Sequence, residues 1–476
     1  MLGAARWQGI ELTFDNPTYE GNPFQTVSFE AVATTPSGTK LTVPGFYDGD
    51  GKGGQRGHVW KLRVMTSEAG RWQVLTRSND PDLDGVERQF AVTNSDARGL
   101  VMRDPEHPHS MKFANGERFF EVGPDDPEAF LAEHYGPLER RLSQIDYLAD
   151  KGMNVFYLGY NYPGDGGPSC RVEPFLGDRG DPDWTRIDLA DMREWEAVFA
   201  RMQERGIVIH FVLELDDSRT PPDQDFYYRE MIARFGWHPN LIWNLAEEYT
   251  ERHDANWARE RARYLKEHDP WGHMVTVHPN STDRFAFAGD RLFDLTAMQY
   301  NTTDPDKLNA LAIKLRRDTR KAGWPIPISV TEWTRLSPGQ LEEARKGIWA
   351  MAMGGATSQI FNKNGSDDVR DWDAHWDAAR HLHDFMLGID HYELAPDNSV
   401  VSSGYCLRGD GLYALYLPEG GTTGLDLRGE TGPFSVKWLQ PQSGRWQEAE
   451  PITGGGVRTL TAPGQGDWAV VVRARQ

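Results

Sequence analysis

Cysteine is nearly absent from this chain: there are two in 476 residues, Cys170 and Cys406, more than 200 positions apart. That count argues against a disulfide framework or a Cys-based zinc site, and both thiols are expected to be buried. Positive charge is also in short supply, with 51 Lys and Arg against 71 Asp and Glu and a net charge of -20. No basic tract is long enough to follow a phosphate backbone, which argues against a nucleic-acid partner. Such an acidic surface would repel anionic membranes, and no apolar run approaches the roughly 20 residues needed to span a bilayer. The opening MLGAARWQGIELTF has no charged segment followed by an apolar one, so no secretory leader is visible. The expectation is a cytoplasmic protein, or a secreted or periplasmic one if a leader has been removed. No histidine pair has metalloprotease spacing, and no internal repeat or low-complexity segment occurs. "DPDLDG" from Asp80 imitates the start of a calcium loop, but Ala91 stands at the twelfth position, where the loop needs Glu. A β-turn is the expectation there.

Aromatic residues are plentiful, at 11% with 17 Trp, and supply large cores despite a mean hydropathy of -0.62. At roughly 100–200 residues per domain, the length suggests two to four domains. Residues 1–97 read as short alternating strands, such as "TVSFEAVA" and "HVWKLRVM", separated by turn clusters such as "YDGDGKGGQRG". This pattern predicts an N-terminal antiparallel β-sandwich.

Over residues 98–388 apolar runs alternate with stretches of helical period. The candidate strands are "RFFEVG", "MNVFYLGYN", "IVIHFVLEL", "LIWNLAEE", "HMVTVHP", "LTAMQYN", "PISVTEW" and "TSQIFN". Runs buried on both faces and each followed by a helix predict a parallel (β/α)8 TIM barrel. Short alternating strands return over residues 389–476, in "GLYALYLP", "FSVKWLQP" and "DWAVVVRA", and predict a C-terminal β-sandwich. The expected fold class is therefore α/β, a TIM barrel flanked by two antiparallel sandwiches.

In such a barrel the loops after the C-terminal strand ends form the active face. Here those ends carry acids: Glu247 and Glu248 after the fourth strand, Glu332 in the seventh, and Glu214, Asp216 and Asp217 after the third. A single strand-end carboxylate is often a helix cap. Two that oppose each other across a pocket can instead divide acid and base work, because crowding and burial push their pKa values apart. Glycoside hydrolysis uses that arrangement.

"WNLAEE" resembles the fourth-strand motif of the large clan of retaining glycoside hydrolases with (β/α)8 barrels, and alignment on Trp243, Leu245 and Ala246 puts the clan's acid/base on Glu248. "PISVTEW" resembles the clan's seventh strand, which puts the nucleophile on Glu332. More of the chain resembles a narrower bacterial group with an N-terminal sandwich, an apiosidase-like or cellulase-like barrel and a C-terminal module named for collagen binding. "GFYDGDGKGGQRGHVWKLRV", "DDPEAFLAEHYG", "YYREMIARFGWHPNLIWNLAEE" and "GDWAVVV" carry that resemblance. One departure stands out: where the clan has an Asn that binds the sugar 2-hydroxyl, this chain has Glu247, which makes Glu247 a rival acid. Strand alternation would point Glu247 and Glu248 to opposite faces and favour Glu248 as the one in the pocket.

Other strand-end residues are candidate substrate contacts, each with an ordinary structural alternative. They are His278 after the fifth strand, Tyr300 after the sixth, where the clan often has a Tyr bonded to the nucleophile, and Tyr160 and Asn161 after the second. Trp333 is a candidate sugar-stacking ring, and Lys363, with Asn364, a contact for a polar or anionic group. The resemblance implies a retaining glycosidase acting on a poly- or oligosaccharide without a cofactor or metal, with flanking sandwiches that favour exo action. A catalytically inactive binding protein and an inverting glycosidase are the rivals.

Overall fold

The computed structural model describes residues 2–17, 20–126, 130–131, 136–159, 174–178, 181–215, 220–362 and 368–475. Near the N-terminus seven strands form one sheet, in the order Leu2–Ala5, Glu87–Thr93, Gly70–Ser78, Phe29–Thr34, Lys40–Tyr47, Val59–Val64 and Ile10–Asp15. All pairs are antiparallel except the first. Alternate residues face inward, as the period of two requires. The inward aromatics pack edge-on, with Phe29 against Phe14 at 5.2 Å and against Trp60 at 5.6 Å. Gly45 makes room for this cluster, since a Cβ there would lie 2.2 Å from Phe29 Cδ1.

The centre of the chain is mixed α/β. Six parallel strands run in the order Met274–Thr276, Leu241–Asn244, Val208–Val212, Val155–Leu158, Pro124–Asp126 and Ile360–Phe361. The strand Thr357–Ser358, one residue before Ile360–Phe361, pairs in parallel with Ser329–Val330 and adds the seventh wall of a near-closed barrel. The sixth predicted strand, at 295–300, is not a regular strand. On one side its backbone meets the seventh predicted strand, with Met298 N–H donating to Ser329 O at 3.1 Å and Glu332 N–H to Met298 O at 3.2 Å. On the other side side chains replace most of the ladder. The Thr276 hydroxyl donates to Leu295 O at 2.9 Å, and the Asp294 carboxylate accepts from Val275 N–H at 2.9 Å.

Val208–Val212 and Leu241–Asn244 are buried throughout, which explains why they are apolar except at His210 and Asn244. Helices wrap the outside, among them Leu189–Arg205, Gln224–Phe235, Ala255–His268, Pro305–Lys321 and Leu341–Met353. Aspartates open several of them: Asp188, Asp223, Asp254 and Asp304 each accept backbone N–H bonds of the first turn. Among the described residues no helix is long and apolar enough to cross a membrane.

The last part of the chain forms a six-stranded antiparallel sheet and a two-stranded one, Thr422–Asp426 with Val457–Thr461. Their shared core holds Cys406, Tyr413, Phe434, Trp438 and Trp468. Cys406 is a buried free thiol, as expected, while Cys170 lies outside the described residues.

Buried guanidiniums join the three parts. Arg63 of the N-terminal sheet pairs with Glu196 at 2.8 Å and donates to Arg234 O at 2.8 Å, and Arg234 donates to Tyr47 O at 2.7 Å. Both rest over the Phe46 ring. On the other side Arg345, in Leu341–Met353, forks onto Asp467 at 2.9 and 2.7 Å, and the Tyr416 hydroxyl adds a bond at 3.0 Å. Replacing Asp467 with Ala strands a buried guanidinium and is expected to cost about 3–5 kcal/mol. Urea unfolding followed by Trp fluorescence reads this, and an unchanged midpoint would remove the pair from the energetics of that junction.

Candidate active site

Leu241–Asn244 stops two residues before the glutamates were expected to alternate, and the chain from Leu245 onward follows its own path. Leu245 N–H donates to Thr276 O at 2.9 Å, Glu247 N–H to Glu214 O at 2.8 Å, and Tyr249 N–H to His278 O at 2.9 Å. Glu248 then adopts a left-handed backbone, φ 39° and ψ 43°, and turns the chain into the short helix Tyr249–Glu251. A non-glycine residue in that region is held there by its surroundings at a cost of order 1 kcal/mol. The alternation argument therefore does not apply, and the turn at Glu248 decides where the two carboxyls go.

Glu247 is buried. Its carboxylate accepts from the Tyr157 hydroxyl and lies 2.9 Å from His278 Nδ1. Tyr157, His278, Asn244 and His210 form one connected layer inside the barrel. The Tyr157 oxygen is 2.7 Å from His278 Nδ1, Asn244 Nδ2 donates to that same oxygen at 3.0 Å, and the Tyr157 ring meets His210 edge-on at 4.6 Å. Across from Glu247 stands Glu332, 5% exposed. Glu247, His278 and Glu332 each place one side-chain donor atom within 4.8 Å of the other two. Glu248 is half-buried and accepts from Asn280 Nδ2 at 3.1 Å.

The electrostatics follow from this packing. Burial, and next the negative charge of Glu247, raise the Glu332 carboxyl from its ordinary value to about 7; His278 and a Gln299 side-chain bond oppose the rise, and Glu248 adds to it. Burial and the Glu247 carboxylate push the Tyr157 phenol well up, so it keeps its proton. Burial, then the neighbouring His278, lowers His210 to about 3, which leaves it neutral. Two carboxylates and an imidazole are also donor types that a divalent cation accepts. In this network, however, Tyr157 and His278 already satisfy Glu247.

The other expected contacts divide. His278 belongs to the cluster. Tyr300 makes no side-chain hydrogen bond to Glu332 among the described residues: its backbone N–H donates to Glu332 O at 2.9 Å, and Gln299, one residue earlier, supplies the side-chain bond to Glu332. Trp333 is not a stacking platform. It is 1% exposed, its indole N–H donates to Gln359 O at 2.9 Å, and its ring lies where a Cβ on Gly347 would be 2.4 Å from Cη2. Glu214 turns away toward the start of Gln224–Phe235, accepting from Gln224 Nε2 at 2.7 Å and lying 3.2 Å from His253 Nε2. Tyr160, Asn161, Lys363, Asn364, Asp216 and Asp217 lie outside the described residues. Tyr157, His210, Asn244, Gln299 and Asn280 were not anticipated. The first three share a readable signal, a polar side chain inside a run otherwise buried and apolar.

This near-closed parallel barrel with its accompanying sheets is similar in fold to glycoside hydrolases of known structure. The protein is similar over 99% of its length to 99% of a candidate glycoside hydrolase from Bacteroides vulgatus ATCC 8482, at 19% identity and a TM-score of 0.81. A glycoside hydrolase family 5 protein from the same organism matches 79% of this chain and 94% of its own, at 16% identity and a TM-score of 0.62. Residues 3–79 match a domain family of unknown function, DUF5060. No curated protein matches the sequence. At these identities the likeness defines the fold, and the chemistry has to be argued from the side chains.

Proposed function

We propose that the protein is a retaining glycoside hydrolase acting on a poly- or oligosaccharide, with the active face of a (β/α)8 barrel as its site. The observation that carries this reading is the buried Glu332 carboxyl facing Glu247 within 4.8 Å, with the half-exposed Glu248 on the adjoining turn. Carboxyls about 5–5.5 Å apart suit a covalent glycosyl intermediate, whereas inversion needs roughly 6.5–9.5 Å to admit water. The Glu247–Glu332 spacing lies below the inverting range and bears directly on the reading in which Glu247 is the acid/base. The solved glycoside hydrolases of like fold support the same reaction class.

Glu332 attacks the anomeric carbon while Glu248 donates its proton to the glycosidic oxygen. The carbon–oxygen bond breaks and the leaving sugar departs as an alcohol. Glu248, now ionised, takes a proton from water, whose oxygen displaces Glu332 and restores both groups. Glu247, pinned by Tyr157 and His278, stands where the clan's Asn would be and accepts a sugar hydroxyl. Its buried position beside Glu332 also favours a second reading, in which Glu247 is the acid/base.

Attack requires ionised Glu332. With its carboxyl raised to about 7, the fraction able to react rises as pH passes through neutrality and falls below it. Replacing Glu247 with Gln removes the second-largest cause of that rise, so the acid limb of the kcat profile is expected to move to lower pH. A limb that stays in place would show that burial alone sets it.

The reaction itself is tested by screening aryl glycosides and polysaccharides and reading the first-formed anomer by NMR. Retention of configuration is expected. Inversion would overturn the double displacement, and inactivity across the panel would favour a carbohydrate-binding role on an inactive barrel.

A further inference from the structure

A second recess lies away from this site, between the N-terminal sheet and the barrel helix Gln224–Phe235. It encloses about 630 Å³, and none of Tyr157, Glu247, Glu248, His278 or Glu332 lines it. That size falls in the roughly 300–1,000 Å³ range of small-ligand clefts. We propose that it is a saccharide-binding subsite, which holds a neutral glycan segment while the barrel works on another part of the same chain. The inference takes from the proposed function only that this protein meets glycans.

The lining combines the groups that recognise sugars. Trp60 and Tyr47 form an aromatic wall, their rings 5.5 Å apart and edge-on. The Trp60 indole N–H is buried and makes no hydrogen bond, a donor that an entering hydroxyl could satisfy. Glu230, 3% exposed, pairs through Oε2 with Arg234 Nε at 3.4 Å, which sets a buried carboxylate at the edge of the recess. Arg77 is exposed, and its side chain has no hydrogen bond or ion pair among the described residues. Arg229, also exposed, lies over the Phe226 ring at 5.6 Å. An indole donor and exposed guanidiniums beside aromatic surface match the alternating hydroxyls and C–H faces of a sugar. Charge argues against a phosphate, since Glu30, Asp84 and Glu230 outnumber the two arginines in the lining.

The test is affinity gel electrophoresis of the full chain, silenced by Glu332→Gln, through galactomannan, xylan, hydroxyethylcellulose and laminarin. At least one polysaccharide is expected to retard it, and adding Arg77→Ala with Arg229→Ala should weaken that retardation at least ten-fold at an unchanged melting temperature. Glu230→Gln serves as an independent second variant with the same expected direction. In the otherwise unmodified chain the double arginine variant should hydrolyse a small aryl glycoside as the parent does. An unretarded parent, or a double variant retarded as strongly as the parent, overturns the subsite. Retardation that depends on these arginines in a protein that hydrolyses nothing would keep the subsite and reject the hydrolase.

Discussion

Glu332→Gln is expected to abolish hydrolysis and, at pH 8, to make the protein more stable. The two outcomes have one cause. A carboxyl that ordinarily titrates near 4.5 is raised to about 7 in the fold, chiefly by burial and then by Glu247. Below pH 4.5 both folded and unfolded chains carry the proton and the site contributes nothing. Between 4.5 and 7 the folded chain keeps a proton that the unfolded chain has released, so stability falls as pH rises. Above 7 the folded chain bears a buried charge beside another carboxylate, and the full cost, on the order of 3 kcal/mol, is present. Gln keeps the shape and removes the charge. Melting curves of both proteins at pH 5 and pH 8 check this: the gain should be largest at pH 8 and small at pH 5. A variant no more stable at pH 8 would mean that Glu332 is not a strained carboxylate, and full activity would remove it as nucleophile.

Glu248→Ala is expected to slow hydrolysis about 10²–10⁴-fold for substrates whose leaving group needs a proton, the range typical of a lost general acid. The first step on a dinitrophenyl glycoside should be nearly unaffected, because that leaving group departs as an anion. Azide should restore turnover by entering the space left by the side chain and attacking the glycosyl intermediate without a base. Glu247→Ala is expected to behave differently, with comparable losses for good and poor leaving groups and no azide rescue, because it loses a sugar contact and alters Glu332. If the rescue follows Glu247 instead, the acid/base role passes to that residue. The geometry keeps both candidates in view: Glu247 is held in the cluster by Tyr157 and His278, while Glu248 sits on a half-exposed turn tethered to Asn280.

What the sequence made legible follows from which forces act locally. Mostly apolar runs announced the walls at Val208–Val212 and Leu241–Asn244, because a strand buried on both faces favours apolar side chains. Their acidic ends could be read for the same reason, as charges out of place. The orientation of those acids could not, since the left-handed turn at Glu248 depends on the backbone bonds of Glu247 and Tyr249 to Glu214 and His278, which are distant in sequence. The same limit explains Tyr300 and Gln299, where one residue of register decides which side chain meets Glu332. Tyr157, Asn244 and His210 are single polar positions in buried strands, and only the assembled barrel reveals that they touch. The irregular segment at 295–300 passed for a strand because its apolar content suits one, while Thr276 and Asp294 carry bonds that a ladder would have made.

The arginines shared between the N-terminal sheet and the barrel bear on how this protein can be divided or recombined. Arg63 answers Glu196, and Arg234 answers a carbonyl of the sheet, so neither partner is complete when cut at the boundary. A barrel expressed without the sheet would keep its own Arg234–Glu196 pair at 3.3 Å but expose it to water on a face built to be dry. A transplanted sheet would need a recipient with matching charges, so the two parts are expected to be inherited as a pair.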